Sequence, residues 1–347
     1  MPYGSGHIND TYLASYQSGT SVLKFIHQRI NHHVFHDPVA LMKNFETVTG
    51  HIESSSRSSR ASDIDRRVLS LVRSRDGRSF VYDSEGYLWR TTRFISGTKT
   101  YDIVGSPALA FEVGRCYGDF QLQLLTLSPE NLLTTIPDFH NTRQRFNVLQ
   151  QAIESDPRNR STAATDEIAY AMARESYVDR LDNLFAAGRL PERITHNDTK
   201  VNNLLVDNLS GKGICVTDLD TTMPGLAGHD FGDMVRTATN KAAEDVLDHG
   251  KVKMRMEIFK PLVKGYLSEA SQFLTPMEIE QLVFSCKVMV LESGIRFLTD
   301  HLLGDVYFKT QRRDHNLDRC RVQFKLLSSI EEQEELMELV VKSISDQ

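Results

Sequence analysis

Cysteine is scarce and unpaired in this chain. Cys116, Cys215, Cys286 and Cys320 are scattered through 347 residues with no paired motif. A disulfide framework is therefore not expected, and reduced thiols are. No apolar run approaches the roughly 20 residues that a membrane span requires, and no secretory leader is expected ahead of the first motif. The expectation is a cytoplasmic protein without a membrane partner. Positive charge is not in excess either: 40 Lys and Arg stand against 46 Asp and Glu, for a net charge of −6 and a pI near 6.1. That argues against nucleic acid as the main partner. None of the twelve histidines has zinc-site spacing, and internal repeats are lacking. What remains is an ordinary globular composition, 40% hydrophobic and 25% charged, long enough for one large or two moderate domains.

One stretch organises the rest. Residues 194–207 read Ile-Thr-His-Asn-Asp-Thr-Lys-Val-Asn-Asn-Leu-Leu-Val-Asp, and residues 214–225 read Ile-Cys-Val-Thr-Asp-Leu-Asp-Thr-Thr-Met-Pro-Gly. The apolar runs at 204–206 and 214–216 predict two short strands. His196, Asp198 and Asn203 lie on the loop before the first, and Asp218 and Asp220 at the end of the second. Asp and Asn favour turns for local reasons. Here, however, the pattern gathers carboxylates at one end of a strand pair, which is costly unless a cation sits among them. Phosphoryl transfer can use this spacing. One carboxylate, Asp198, meets the acceptor hydroxyl, while an amide, Asn203, and a second carboxylate, Asp218, hold Mg2+ against the phosphates of ATP. Asp230-Phe231-Gly232 spells another magnesium-binding tripeptide. It lies too far after Asn203 and follows Met223-Pro224-Gly225, which breaks the strand, so Asp230 is expected to cap a helix or brace the loop.

The spacing His196-x-Asp198-x-x-x-x-Asn203, with Asp218 downstream, resembles the aminoglycoside phosphotransferase and choline kinase family. Thr195 to Asn203 and Asp218-Leu-Asp-Thr-x-Met-Pro-Gly225 look like the N-acetylhexosamine 1-kinases within it. Tyr3-Gly-x-Gly-His-Ile-Asn9, Phe139-His-x-Thr-x-x-Arg-Phe146, Gly294-x-Arg-Phe-Leu-x-Asp300 and Gly304-Asp-x-Tyr-Phe308 share the likeness, which covers nearly the whole chain. It implies a two-lobed, protein-kinase-like α+β fold. The expected lobes are a nucleotide-binding one at 1–96, with a small antiparallel sheet, and a helical catalytic one at 97–347. It further implies that Gly4 and Gly6 belong to a nucleotide loop, that His7, Thr221, Arg296 and Tyr307 contact the sugar, and that His196 and Asp230 support the loop.

In chain order, Val22–Ile30 predicts a strand. A kinase small lobe places a basic group on such a strand. Lys24 and Gln28 share one face and Arg29 the other, and alignment to the family favours Gln28 at the usual basic position, so the phosphate anchor is left open among the three. An unpaired sheet edge is expected at 22–30, because a strand is expected ahead of the glycine loop. Asp37-Pro38 opens a helix whose Glu46 is a candidate to orient a strand residue. Residues 53–62 predict a Ser/Arg-rich loop. Three strands are expected at 68–72, 79–82 and 87–95, separated by Asp76-Gly77 and Glu85-Gly86. A hinge is expected at Ser96-Gly97, with adenine against the backbone of Phe94 and Ile95. Helices are predicted at 108–125, 165–187, 275–303 and 330–344. The third has the capping box Thr275-Pro-Met-Glu278 and stops at Gly304.

The sequence thus points to transfer of the ATP γ-phosphate to a small-molecule hydroxyl, and the resemblance narrows it to the anomeric hydroxyl of N-acetylglucosamine or N-acetylgalactosamine. Two rivals stand beside it: a related kinase for choline, homoserine or an aminoglycoside, and a non-catalytic nucleotide-binding scaffold.

Overall fold

The fold follows from two blocks of sequence with different periodicities. The computed structural model describes residues 1–4, 8–58 and 63–347. Gly6 and His7, and residues 59–62 of the Ser/Arg-rich segment, lie outside the described residues. In the first block, alternating strands build an antiparallel sheet: β1 (Asp10–Ser18) and β2 (Ser21–Arg29) form a hairpin, and α1 (Pro38–Ser58) follows. The Asp37 carboxylate caps α1 by accepting from the N–H groups of Val39 and Ala40. This helix runs through 53–58, where a loop was expected. After a short α2 (Ile64–Arg67), β3 (Phe80–Tyr82) and β4 (Leu88–Arg93) complete the sheet in the order β1-β2-β4-β3.

Three further expectations fail in this block. β2 is flanked by β1 on one side and β4 on the other, so residues 22–30 are not an edge; the outer strand is β1. Residues 68–72 form no strand, only the bridge Leu71–Thr92 flanked by two backbone bonds to β4. Glu46 pairs with Arg73, at 3.1 Å, rather than with a strand residue. The sheet packs on α1 through Ile30, Phe35, Leu41, Met42 and Leu88.

In the second block, the chain passes Gly97, at φ 74°, into β5 (Thr98–Lys99) and then α3 (Pro107–Gln123), capped by the Ser106 hydroxyl. Next come α4 (Thr142–Ser155), α5 (Thr165–Met172) and α6 (Arg180–Ala186). The single helix expected over 165–187 is interrupted. At the break, Arg174 reaches Glu331, at 2.9 and 2.7 Å, and stacks on the Tyr170 ring, while the Tyr177 hydroxyl donates to the same Glu331. Tertiary ion pairing overrides local helix propensity there.

β6 (Arg193–Thr195), β7 (Leu204–Asp207), β8 (Gly213–Val216) and β9 (Met223–Gly225) make two small sheets, β5-β7-β8 and β6-β9. Met223-Pro-Gly, read as a strand break, is itself the β9 partner of β6. It is tolerated because a two-stranded sheet has only edges. Helices α7 (Ala227–Thr239), α8 (Met256–Ala270), α9 (Pro276–Leu303), α10 (His315–Glu331) and α11 (Glu334–Ser345) finish the chain. The helix expected over 330–344 therefore starts at Glu334, and the acidic run at 331–335 straddles the boundary between α10 and α11.

α3 and α8 cross at a distance only glycine permits. A Cβ on Gly114 would stand 2.1 Å from Leu262 O, and one on Gly265 2.0 Å from Phe111 O. A continuous apolar core fills the helical part, from Val113 on α3 through Phe231 on α7 to Leu298 on α9. All four cysteines are buried and unpaired. Burial pushes the Cys116 and Cys215 thiols up to about 12 and raises those of Cys286 and Cys320 as well. Among the described residues, no helix is long and apolar enough to cross a membrane.

Candidate active site

β6 ends at Thr195, and the chain turns sharply at Asn197, whose φ of 63° is left-handed. A residue other than glycine keeps that conformation when its surroundings over-determine it. Here they do. The Asn197 N–H donates to Asp230 Oδ1 at 2.7 Å, its Nδ2 donates to Thr221 O at 2.9 Å, and its Oδ1 accepts from the Thr195 hydroxyl at 2.9 Å. Asp230 lies on the first turn of α7, beneath this loop. Its Oδ2 accepts from His196 N at 2.9 Å and from Gln121 Nε2 at 2.8 Å, and its carbonyl accepts from the Thr199 hydroxyl. Burial raises this carboxyl, opposed by His196 and the two backbone donors.

His196 is buried beside the Tyr117 and Phe120 rings. Its Nδ1 accepts from Asp198 N at 3.2 Å, so the proton sits on Nε2, which donates to Thr217 O at 2.8 Å. The turn thereby leaves the Asp198 side chain partly open to solvent. Asp198 Oδ1 meets Lys200 Nζ at 2.8 Å, and its Oδ2 accepts from Asn203 Nδ2 at 3.1 Å. Crowding works to raise the Asp198 carboxyl, but the Lys200 ammonium outweighs it and holds the group below its usual range. Lys200 is raised in turn by the same pairing. Sequence reasoning passed over Lys200; its signal was a lysine two residues beyond the key carboxylate.

Asp218 ends the β7-β8 hairpin in a left-handed turn, φ 59°, and caps nothing. Asp218 is exposed to solvent. Its carboxyl is nevertheless pushed up to about 6, by the protein crowded around it and by the like charges of Asp220 and Asp198. Because solvent reaches the group, the like charges deserve the greater weight of the two. Bound positive charge would relieve such crowding. Among the described residues, no three His, Cys, Asp or Glu are arranged to hold a metal by themselves. That suits Mg2+, which is commonly held by one or two protein groups plus substrate phosphates. Asn203 spends its amide NH2 on the Asp198 carboxylate and the Asp198 carbonyl, which leaves its Oδ1 as an acceptor.

Three contacts went unforeseen. Arg90, buried on β4, makes a forked ion pair with Asp220; Asn9 donates to that same carboxylate at 2.6 Å. Of the candidate anchors, Gln28 accepts from Arg90 at 3.0 and 2.9 Å, Arg29 pairs with Asp10, and Lys24 lies over the Phe94 ring. His140 is the third. Its Nδ1 meets Glu292 Oε1 at 2.9 Å and its Nε2 meets Asn197 O at 3.1 Å. Both partners are acceptors, so both ring nitrogens must carry protons. Burial opposes that charge, yet Glu292 raises the imidazole overall. Glu292 itself is held down at about 2: burial works against its charge, and His140 overcomes it. The neighbouring His229 is lowered to about 3 by burial and by His140, and is neutral.

The expected sugar contacts are not all alike. Thr221 is buried and donates its hydroxyl to His196 O at 2.7 Å, which leaves it only an acceptor. Arg296, one turn beyond Glu292 on α9, stands 5.8, 5.9 and 5.5 Å from the Phe139, Tyr307 and Phe308 rings. Tyr307 is exposed, and its backbone is fixed by Asp300, which accepts from the N–H groups of Val306, Tyr307 and Phe308. Gly4 has φ 82° in the loop before β1. Phe94 N donates to Lys24 O, and Ile95 O accepts from the Thr98 hydroxyl.

A small antiparallel sheet joined to a largely helical part, with this loop between them, is the architecture of kinase-like small-molecule phosphotransferases. The chain belongs to the phosphotransferase enzyme family, whose model matches residues 1–253, and it transfers a phosphoryl group to a hydroxyl acceptor. Solved structures share the fold at low identity. An aminoglycoside phosphotransferase from Alicyclobacillus acidocaldarius is 10% identical with TM-score 0.61, covering 96% of this chain and 93% of its own. A choline kinase from Cryptosporidium parvum is 14% identical with TM-score 0.59, covering 100% and 93%. Amicoumacin kinase, solved with AMP-PNP and Ca2+, is 11% identical with TM-score 0.57, covering 95% and 87%.

Proposed function

We propose that the protein is an ATP- and Mg2+-dependent kinase that phosphorylates the anomeric hydroxyl of an N-acetylhexosamine, giving the sugar 1-phosphate. ATP would lie between a nucleotide lobe at 1–96 and a catalytic lobe at 97–347, with Gly4 and Gly6 near its phosphates and adenine near Phe94 and Ile95. Asn203 and Asp218 hold magnesium, which when bound offsets the negative charge of the phosphates. Asp198, kept ionised by Lys200, orients the acceptor hydroxyl and takes its proton. The acceptor oxygen bonds to the γ-phosphorus as the bond to the β–γ bridging oxygen breaks, and ADP leaves. Lys200 places positive charge beside the transferring group. His196 and Asp230 support the loop, and a cytoplasmic setting suits the four unpaired thiols.

The observation that carries the acceptor class is the pair Arg296 and Arg145. Burial and the nearby Arg296 charge lower the Arg145 guanidinium, and its buried Nε has no partner among the described residues. Glu292, the nearby carboxylate, is already satisfied by His140 and Thr142. Choline or an aminoglycoside would bring a cation against two guanidiniums. A neutral sugar brings hydroxyls and an acetamide carbonyl that Arg296 and Tyr307 can bond, with His7 and Thr221 as the further contacts.

A panel of N-acetylglucosamine, N-acetylgalactosamine, choline, homoserine and an aminoglycoside, each with Mg-ATP and scored for ADP release, tests this. Turnover is expected with the two sugars. Arg296→Ala should raise the sugar KM roughly 10- to 150-fold, the equivalent of one lost charged hydrogen bond, and leave the ATP KM in place. Preference for choline or an aminoglycoside would overturn the acceptor; a folded protein that binds nucleotide yet is inert towards every acceptor would favour the scaffold.

A further inference from the structure

In kinases of this architecture, a lysine on a strand of the small lobe pairs with a glutamate on the following helix, and both are required for activity. Among the described residues, Glu46 and the β2 positions 24, 28 and 29 form no such pair. The α1 residue Glu46 is turned to Arg73 on a surface loop, and Gln28 on β2 is neutral. A different pair stands at the centre of the molecule. Arg90 and Asp220 are 1% and 3% exposed. Arg90 Nη1 donates to Asp220 Oδ1, and Nη2 to Oδ2 at 3.0 Å. Its Nε and Nη2 donate to Gln28 Oε1, and Gln28 Nε2 donates to the Thr11 hydroxyl on β1. Phe45 of α1 covers the guanidinium at 4.5 Å.

The partners of Asp220 come from separate places. Arg90 belongs to the sheet. Asn9, on the same carboxylate, ends the glycine loop, and its Oδ1 also accepts from Asn31 N at 2.9 Å. Thr135 donates to Asp220 O, and Asn44 of α1 to Thr222 O. Asp218, two residues before Asp220, has no such tether of its own and holds a left-handed turn. We propose that Arg90 is a positioning residue for metal and nucleotide: by clamping Asp220 it fixes the Asp218 turn against the sheet and the end of the glycine loop. It thereby replaces the strand–helix ion pair, with Gln28 as the residue that aims its fork. The inference rests on the kinase reading and predicts that Glu46 is dispensable.

Calorimetric titration with Mg2+ and AMP-PNP tests it without knowledge of the acceptor. Arg90→Lys keeps the charge but loses the fork. It should weaken Mg-AMP-PNP binding about tenfold or more and raise the Mg2+ concentration needed for half-saturation. Arg90→Met combined with Asp220→Leu removes both charges, a change buried pairs often tolerate; it should fold, by melting and circular dichroism, and show the same binding loss. Glu46→Gln should bind as the parent does. Wild-type binding by either folded Arg90 variant overturns the proposal. So does a double variant that cannot fold, since the pair would then serve stability, and so does a loss of binding in Glu46→Gln. If the parent protein itself binds no Mg-AMP-PNP, the kinase reading falls along with it.

Discussion

At the scale of single residues, three aspartates around one loop hold different chemical states because their partners differ. Asp198 meets a lysine and an amide, Asp218 meets like charge, and Asp230 accepts N–H groups from the turn above it. Asp198→Asn should lower kcat by about 10²- to 10⁴-fold, the usual worth of a positioned base, with ATP affinity little changed. Asp218→Asn should abolish magnesium-dependent turnover and leave the melting temperature near that of the parent. Asp230→Asn should chiefly lower that temperature, because an amide NH2 would face backbone donors, at a cost of about 1–3 kcal/mol. An exchange of behaviour between the last two would assign the metal to Asp230. The positions of these aspartates were legible because strand ends and turn residues are local signals. Arg90 and His140 were not. Their partners lie 130 and 152 residues away, and nothing in a linear pattern says which buried cation meets which carboxylate.

At the scale of elements, the strongest signals were caps and stops. Asp37, Ser106, Thr275 and Gly304 mark helix ends in the structure as they do in the sequence. The failures, at the break after Met172 and the boundary between α10 and α11, occur where Arg174, Tyr177 and Glu331 from distant segments bond one another. The His140–Glu292 pair does similar work between elements, joining the start of α4 and the middle of α9 to the turn at Asn197. It carries a pH signature. His140 is raised in the folded chain, so its stabilisation is complete below its ordinary value near 6.5 and is lost as pH rises through the raised value. The melting-temperature gap between the parent and His140→Gln should therefore shrink on going from pH 6 to pH 9. A gap that widens over that range would mean His140 is held neutral.

At the scale of the whole molecule, the sheet and the helical part were expected from periodicity together with the family likeness, whereas the sheet order was not: which strand lies outermost depends on pairings that the alternation of a single strand leaves open. The enclosed thiols give the assembled molecule a further property. They sit on α3, β8, α9 and α10, one to an element, and each must reach solvent as a thiolate before it can react. The native protein should thus resist alkylation, and each cysteine becomes a clock for the opening of its own element. Mg-AMP-PNP, which favours the closed state by mass action, should slow labelling of Cys215 beside the Asp218 turn more than that of Cys320, read by mass spectrometry of tryptic peptides. Equal slowing at both would show that the molecule opens only as one unit, and would turn its four clocks into a single one.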